Sequence, residues 1–504
     1  MEKLNMNTIK IISQKKERVI QIEKGNSLLD ILRESGYNIY SPCGGEGTCG
    51  KCRVHIKGDG VVTACTYFPA YNIEIILPGE REARILTAQS EYLEEYPLNV
   101  GEIKQLSNNP HGIAIDIGTT SIVFYHLALI SGKVLKIRSI LNPQATYGSD
   151  IISRINYCQT NEDGLKRLQK TILQAINDEL TYFQKNAEIR KIDIVRLSIV
   201  GNNTMLHLLL GEDPVTIALA PFTPKFTNEQ IKTGESLGLN THPEAEIRTL
   251  PSISAYVGAD IVSGIAVLKQ DIKKRNIIYV DIGTNGEIGL ITPNKIFTCA
   301  TAAGPAFEGT NISCGMGAVE GAISMFTKNG EIYTIGNVKP VGICGSGIID
   351  VVSYLLDNHL MNATGLLKEP FIIVNSTSYG KIEISQEDIR EIQLAKSAIY
   401  SGIKVLLKRA GLTFNDIHVL YLAGGFGNYM NIESAVNIGL LPDEIKDKTV
   451  AIGNSAGAGA IQALRSIDFH KRIKTVLSNV EYIELSSSDD FNLEFTLNMN
   501  FKTS

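Results

Sequence analysis

Two stretches of this chain, about 165 residues apart, repeat one pattern: an apolar strand ending in Asp, a Gly-Thr turn, and an immediate return to β-type residues. The first is Gly112-Ile113-Ala114-Ile115-Asp116-Ile117-Gly118-Thr119-Thr120-Ser121-Ile122-Val123 and the second Ile277-Ile278-Tyr279-Val280-Asp281-Ile282-Gly283-Thr284-Asn285-Gly286-Glu287-Ile288-Gly289. A turn of Gly and Thr offers backbone N–H and hydroxyl donors to phosphate oxygens, and an Asp at the strand end is placed to hold Mg²⁺ through water. A single such turn is as readily a plain strand connection. Two in the same strand context, a domain length apart, predict facing hairpins that grip one triphosphate.

The cysteines carry a second constraint. Four of the eight fall between Cys43 and Cys65, in Ser41-Pro42-Cys43-Gly44-Gly45-Glu46-Gly47-Thr48-Cys49-Gly50-Lys51-Cys52 and Thr63-Ala64-Cys65-Thr66, a C-x5-C-x2-C-x12-C spacing. In a reducing compartment such crowding argues for metal ligation over disulfides. Four thiolates suit a [2Fe–2S] cluster, and glycines at 44, 45, 47 and 50 let backbone N–H groups turn inward toward its sulfides. Zinc also accepts four thiolates, though its knuckles more often pair two C-x2-C units where this chain has one. Before the loop, Thr8–Ile12 and Arg18–Ile22 read as a hairpin and Ser27–Glu34 as a short amphipathic helix, a small β-grasp opening, with Cys65 on a later strand.

The 504 residues exceed one ordinary core. The expected units are an α+β ferredoxin-like domain at 1–98, a short linker at 99–110, a first ATPase lobe at 111–275, and a second lobe with the C-terminal segment at 276–504. With 44% hydrophobic and 20% charged residues and a net charge of −5, nothing marks the chain for nucleic acid or a membrane surface. No apolar run reaches a membrane span, and Met1-Glu2-Lys3-Leu4-Asn5 opens a polar segment without a signal-peptide core, so the expected location is cytoplasmic.

The first cysteine loop resembles plant- and adrenodoxin-type ferredoxins over about residues 7–78, which implies Cys43, Cys49, Cys52 and Cys65 as cluster ligands. The interval before Cys65 is shorter than in those ferredoxins. The remainder resembles the superfamily of actin, the heat-shock ATPases and the sugar kinases, an α/β two-lobed, ribonuclease H-like fold, over about 111–465. All five of its motifs occur in order. Between and after the phosphate turns come a first connecting helix at Ala255-Tyr256-Val257-Gly258-Ala259-Asp260-Ile261-Val262-Ser263-Gly264, an adenosine loop at Val419-Leu420-Tyr421-Leu422-Ala423-Gly424-Gly425-Phe426-Gly427, and a second connecting helix at Gly453-Asn454-Ser455-Ala456-Gly457-Ala458-Gly459-Ala460. Small residues on both helices suit close approach at a hinge.

A narrower resemblance is to ferredoxin-fused ATPases that reductively activate corrinoid proteins. It is carried by Asn142-Pro143-Gln144 with Tyr147-Gly148-Ser149-Asp150-Ile151-Ile152-Ser153-Arg154-Ile155, Gly201-Asn202-Asn203-Thr204-Met205, Ala220-Pro221-Phe222, Gly304-Pro305-Ala306-Phe307-Glu308-Gly309 and Gly342-Ile343-Cys344-Gly345-Ser346-Gly347-Ile348-Ile349-Asp350. The resemblance implies ATP with Mg²⁺, one electron passed to an inactive Co(II) corrinoid protein of a methyltransferase system to give Co(I), a low-potential ferredoxin or flavodoxin as donor, and a homodimer. It assigns nucleotide contacts to Gly118, Thr119, Thr120, Gly283, Thr284, Asn285, Gly286, Gly424, Gly425 and Gly427. Asp116 and Asp281 are the Mg²⁺–phosphate acids, Asp260 an orienter of water or a capping acid, and Glu308, opening a helix, a ribose ligand or a helix-end acid. Cys158, Cys299, Cys314 and Cys344 are expected to be inert, and His207 a satisfied core residue. Two rival readings are an activator of radical dehydratases, which lacks a ferredoxin domain, and a non-redox chaperone with a structural cluster.

Overall fold

The computed structural model describes residues 8–13, 16–22, 25–35, 37, 39, 45, 47, 52–76, 90–101, 106–269, 275–377, 380–427 and 429–502. The N-terminal unit is a five-stranded sheet in the order Lys16–Gln21, Thr8–Ser13, Ile73–Ile76, Arg53–Ile56, Gly60–Thr63. The helix Leu28–Glu34 lies on it because Leu28, Leu29, Ile31 and Leu32 share one buried stripe, meeting Ile9, Ile11, Val54, Ile56 and Ile75. Ser27 caps this helix, its hydroxyl accepting from the Asp30 N–H at 3.2 Å. The first two helix N–H groups find carbonyls in and just after the cysteine turn, Leu28 on Tyr67 at 2.8 Å and Leu29 on Ala64 at 3.0 Å.

Cys65 differs from expectation. It lies in a turn after the strand Gly60–Thr63, closed by the Thr66 N–H on the Thr63 carbonyl at 3.1 Å. The turn lets the Cys65 backbone swing toward Cys52, which a continued strand would not.

Two six-stranded sheets follow, built to one plan. The first has the order Gln230–Thr233, Glu246–Thr249, Ile194–Gly201, His111–Ile117, Ser121–Ala128, Lys133–Leu141; the second Thr449–Gly453, Val419–Ala423, Ile277–Ile282, Gly286–Ile291, Ile296–Thr301, Val480–Tyr482. In each, the Asp-bearing strand is antiparallel to its hairpin partner and parallel to a strand that arrives after a helix. The duplicated sequence pattern is thus a duplicated fold, the two-lobed actin-like architecture. Its central strands read as continuous apolar runs because helices cover both faces. Gly164–Ala187 buries Leu168, Ile172, Ile176, Leu180 and Phe183 on the first sheet, and Gln386–Ala410 buries Ile389, Ile392, Ile399, Ile403 and Leu406 on the second.

Between the lobes the helix Ala259–Ala266, starting four residues into the motif that predicted it, packs on Ser455–Arg465. Only small residues fit there: a Cβ on Gly459 would fall 2.6 Å from the Ser263 Cβ, and one on Gly457 2.5 Å from the Tyr125 hydroxyl. The Ser263 hydroxyl donates across to the Ala456 carbonyl at 3.3 Å.

Residues 90–101 pack on the ATPase. Tyr96 meets Phe469 edge-on at 5.2 Å, Tyr92 tilts on Tyr421 at 5.6 Å, Leu93 is buried, and the Asn99 N–H donates to the Arg465 carbonyl at 2.8 Å. At the other end, buried Lys396 of the long helix donates to the carbonyls of Asn498 at 2.6 Å and Asn500 at 2.7 Å, while Gln393 donates to Met499 at 2.9 Å and Phe501 is buried beside them. No helix among the described residues is long and apolar enough to cross a membrane.

Candidate functional site

Both Gly-Thr turns sit at the same end of their sheets. Gly118 N–H closes the first on the Ser121 carbonyl at 2.9 Å and Gly283 N–H closes the second on Asn285 at 2.9 Å. Glu308 joins them. Its Oε2 accepts the Thr120 hydroxyl at 2.9 Å and the Thr284 hydroxyl at 3.0 Å, one oxygen bridging turns from the two lobes. Glu308 ends a short 3₁₀ turn, Pro305–Glu308, and does not open a helix, because Gly309 at φ +78° breaks the turn behind it. Phe307 stacks on Phe426 at 5.2 Å, which seats the Glu308 loop against the Gly424–Gly427 segment.

The acids converge on this cleft. The strand Ile277–Ile282 brings Asp281 beside Ala423 of its parallel neighbour, so Gly424, at φ +76°, leaves room where any Cβ would collide with the Asp281 carboxylate. Gly427 lies on Leu422, and exposed Gly425 sits between. Asp116 Oδ2 accepts from Asn454 Nδ2 at 2.8 Å; the Asn454 Oδ1 caps the second connecting helix by accepting from Gly457 N–H at 2.7 Å. Asp260 stands in the first turn of the other helix. Thr119 is buried, its hydroxyl accepting from Asn202 Nδ2 at 3.2 Å, and Gly286 begins the strand after the second turn, pressed against Thr301 and Ile399.

Crowded, half-buried carboxylates favour their neutral forms. Burial pushes Asp116 up to about 6 against the Asn454 hydrogen bond. Burial, then repulsion from Asp116, pushes Asp260 up to about 7, and burial, then repulsion from Asp260 and Asp116, does the same to Asp281. Glu287, paired opposite Asp281 across the hairpin, is raised by burial and by both acids. Glu308 is raised by burial, opposed by the threonine hydroxyls and Arg154. No three described carboxylates, imidazoles or thiols close on one point tightly enough to enclose a metal ion. Carboxylate oxygens are the hard donors that a divalent cation takes, with water and phosphate oxygens completing its shell.

In the N-terminal unit Cys52 and Cys65 are buried side by side, the Cys65 N–H directed at the Cys52 sulfur at 3.4 Å and the Ala64 N–H on the Cys52 carbonyl at 2.8 Å. Gly45 and Gly47 take φ of +110° and +79°, and a Cβ at Gly47 would press Thr66 at 3.1 Å. An N–H aimed at a cysteine sulfur and a left-handed loop fit a [2Fe–2S] cluster. Cys43 and Cys49 lie outside the described residues.

Comparison with known proteins agrees along the chain. Residues 11–70 match the 2Fe-2S iron-sulfur cluster binding domain, 111–274 the RACo middle region, and 275–504 the C-terminal domain of RACo, the ASKHA domain. The corrinoid activation enzyme RamQ of Eubacterium limosum is 30% identical, over 96% of this chain and 98% of that protein. The chain belongs to the RACo family of corrinoid reductive activators. A solved structure titled reductive activator for corrinoid, iron-sulfur protein is 28% identical, covers 98% of both chains and superposes with a TM-score of 0.72. The [Co(II) methylated amine-specific corrinoid protein] reductase of Methanosarcina barkeri is 24% identical over 78% of this chain and 77% of its own.

Within this RACo-family chain, four polar residues at the cleft escaped sequence reasoning. Glu287 was legible in the hairpin register, since a three-residue turn after Ile282 places it opposite Asp281. Asn454 was legible as a cap before a run of small helical residues. Asn202 and Arg154 act through contacts distant in sequence. Fully buried Arg154 donates to the carbonyls of Gly148 at 2.9 Å and Thr119 at 2.5 Å and to Gln144 Oε1 at 3.4 Å, bracing the first turn from behind. Burial lowers its guanidinium to about 10. His207 is a satisfied core residue: Nδ1 meets the Asn203 carbonyl at 2.7 Å, and Nε2 accepts from Lys225 N–H at 3.1 Å. Buried Cys299 and Cys344 have thiols raised by desolvation, as inert thiols do.

Proposed function

We propose that this chain uses ATP to drive one electron from its ferredoxin unit into an inactive corrinoid protein, taking Co(II) to nucleophilic Co(I). One observation carries this reading: a ferredoxin unit fused to a cleft in which two Gly-Thr turns and three aspartates meet, in a chain of the RACo family. When bound, the [2Fe–2S] cluster supplies one-electron chemistry, and Cys43, Cys49, Cys52 and Cys65 are the residues to hold it.

The ATPase residues act on phosphate and cation. Gly118, Thr119, Thr120, Gly283, Thr284, Asn285 and Gly286 offer the donors, and Asp116 and Asp281 position Mg²⁺ through water, relieving the repulsion that raises their carboxyls. Asp260, whose carboxyl is raised by Asp116 and raises Asp281 in turn, is the acid to orient the attacking water. The Glu308 oxygen held by both threonines stands where a phosphate oxygen would be accepted, so entering nucleotide displaces it and the two lobes then close on phosphate. Gly424, Gly425 and Gly427 form the loop under the adenosine.

ATP is needed because reduction of many corrinoids from Co(II) is uphill from a ferredoxin-type centre. Nucleotide shifts such an equilibrium only through differential affinity for two states of the partner complex. The partner is a corrinoid protein of a methyltransferase system, the donor a low-potential ferredoxin or flavodoxin, the assembly a homodimer, and the compartment the cytoplasm. The test follows cobalt by visible absorption after mixing a Co(II) corrinoid protein with this protein, reductant and MgATP. Growth of the Co(I) band only with nucleotide is expected; equal growth without it removes the role given to the ATPase.

A further inference from the structure

Two sequence motifs, Asn142-Pro143-Gln144 and Tyr147-Gly148, belong neither to the phosphate turns nor to the ferredoxin unit, yet they touch both. The 3₁₀ turn Pro143–Thr146 is held rigid by the Ala145 N–H on the Asn142 carbonyl at 3.0 Å, the Thr146 hydroxyl on Pro143 at 2.8 Å, and Gln144, which is buried and donates to Leu168 at 2.9 Å. At its start Asn142 grips the first phosphate turn twice. Its N–H donates to the Thr120 carbonyl at 2.8 Å and its side-chain amide to the Gly118 carbonyl at 2.8 Å. At its end the Thr146 carbonyl accepts from the Arg33 guanidinium, and the same guanidinium faces the Tyr147 ring at 5.7 Å. Arg33 belongs to the helix Leu28–Glu34 of the ferredoxin unit. It is largely shielded, with 15% of its side chain exposed, and a Cβ on Gly45 of the cysteine loop would lie 3.5 Å from it.

We propose that the Asn142–Tyr147 turn is a relay, with Arg33 as its positioning residue, through which nucleotide at the Thr120 turn changes how the ferredoxin unit is seated. This rests on the ATPase reading of the Gly-Thr turns. The physical case is that both ends are anchored by hydrogen bonds to backbone carbonyls, Asn142 on Gly118 and Thr120 of the phosphate turn and Arg33 of the ferredoxin unit on Thr146. When phosphate draws the donors of the first turn, Gly118 and Thr120 shift, Asn142 follows through two hydrogen bonds, and a 3₁₀ segment of four residues, spanning about 8 Å, transmits the shift to Thr146 without slack. A planar guanidinium that both hydrogen-bonds a carbonyl and faces a ring is specific in orientation, so a small shift there breaks or remakes the seat. Coupling of this kind is reciprocal, so the state of the cysteine loop is also felt at the phosphate turn.

Hydrogen exchange on the cluster-loaded full chain, with and without a non-hydrolysable MgATP analogue and with no corrinoid protein present, tests it. Wild type is expected to change exchange in peptides covering 142–150 and 28–35, the latter by roughly 5-fold or more, the lower end of ordinary coupling. Arg33→Ala is expected to keep the 142–150 response, basal hydrolysis and the visible cluster spectrum, and to lose the response at 28–35; Arg33→Lys, which keeps charge but not the planar contact, is expected to fall between. Persistence of the 28–35 response in both variants overturns the relay, as does its absence in wild type when 142–150 responds. Failure of nucleotide to bind at all, seen in a separate titration, sinks the ATPase reading and the relay with it.

Discussion

Asp281 and Glu308 represent two ways in which a single side chain in this cleft is set against itself. Asp281, Asp260 and Asp116 are raised to about 7, 7 and 6, whereas in an unfolded chain they titrate near the ordinary value of about 4. The folded state therefore holds extra protons between those values. The stability this confers is complete below about pH 4 and lost as pH rises through about 7. Thermal unfolding of nucleotide-free protein should show a lower Tm at pH 8 than at pH 6, and Mg²⁺ with ATP should raise Tm more at pH 8. Asp281→Asn should flatten this pH dependence, keep the visible cluster spectrum and abolish ATP turnover; unchanged turnover would show that the second turn is not the phosphate grip. Glu308 poses a different test. If its anionic oxygen must leave before phosphate enters, Glu308→Gln should tighten MgATP binding by about tenfold, close to 1.4 kcal/mol, in a fluorescent-nucleotide titration. Weaker binding would place Glu308 on the ribose instead.

At the scale of elements, the connecting helices meet through glycine, and that contact can be probed directly. Gly459→Leu forces a branched side chain onto Ser263, and such overpacking costs about 1–3 kcal/mol. A lower urea midpoint with loss of nucleotide binding is expected; a silent substitution would mean the helices are not closely apposed in solution. This is also the scale at which the sequence was most readable. Each phosphate turn is a local pattern, so strand, turn and returning strand could be read in one pass, as could the Leu28–Leu32 stripe. Arg154 could not. Its donation to Thr119 depends on the capping of its helix by Asp150 and on a path of 35 residues, so the motif that contains it does not say what it braces. Cys65 was placed one element early because its turn is closed by a backbone hydrogen bond, which leaves no mark in residue types. The seating of the ferredoxin helix through Arg33 was likewise invisible, since it needs both units present.

For the whole molecule, the segment 90–101 decides where an ATPase fragment should begin. Leu93 and Tyr96 are buried against the lobes, so a chain starting at His111 exposes the surface they cover and loses about 2–5 kcal/mol relative to one starting at Ser90. The longer fragment should melt several degrees higher, hydrolyse ATP, respond to a corrinoid protein, and deliver no electron, because it lacks the four-cysteine loop. Cobalt reduction by it would show that the electron takes another route.

The buried Lys396 ammonium carries one further consequence, in time rather than in space. Its two carbonyl partners lie 102 and 104 residues further along the chain, so the second lobe cannot finish its core until both stretches have been made. The ferredoxin unit and first lobe, complete in sequence long before, are free to form as they emerge. Synthesis thus delivers the electron-carrying part before the second lobe can close its core, and a chain stopped short of Asn498 leaves the Lys396 ammonium in the interior without its carbonyl partners.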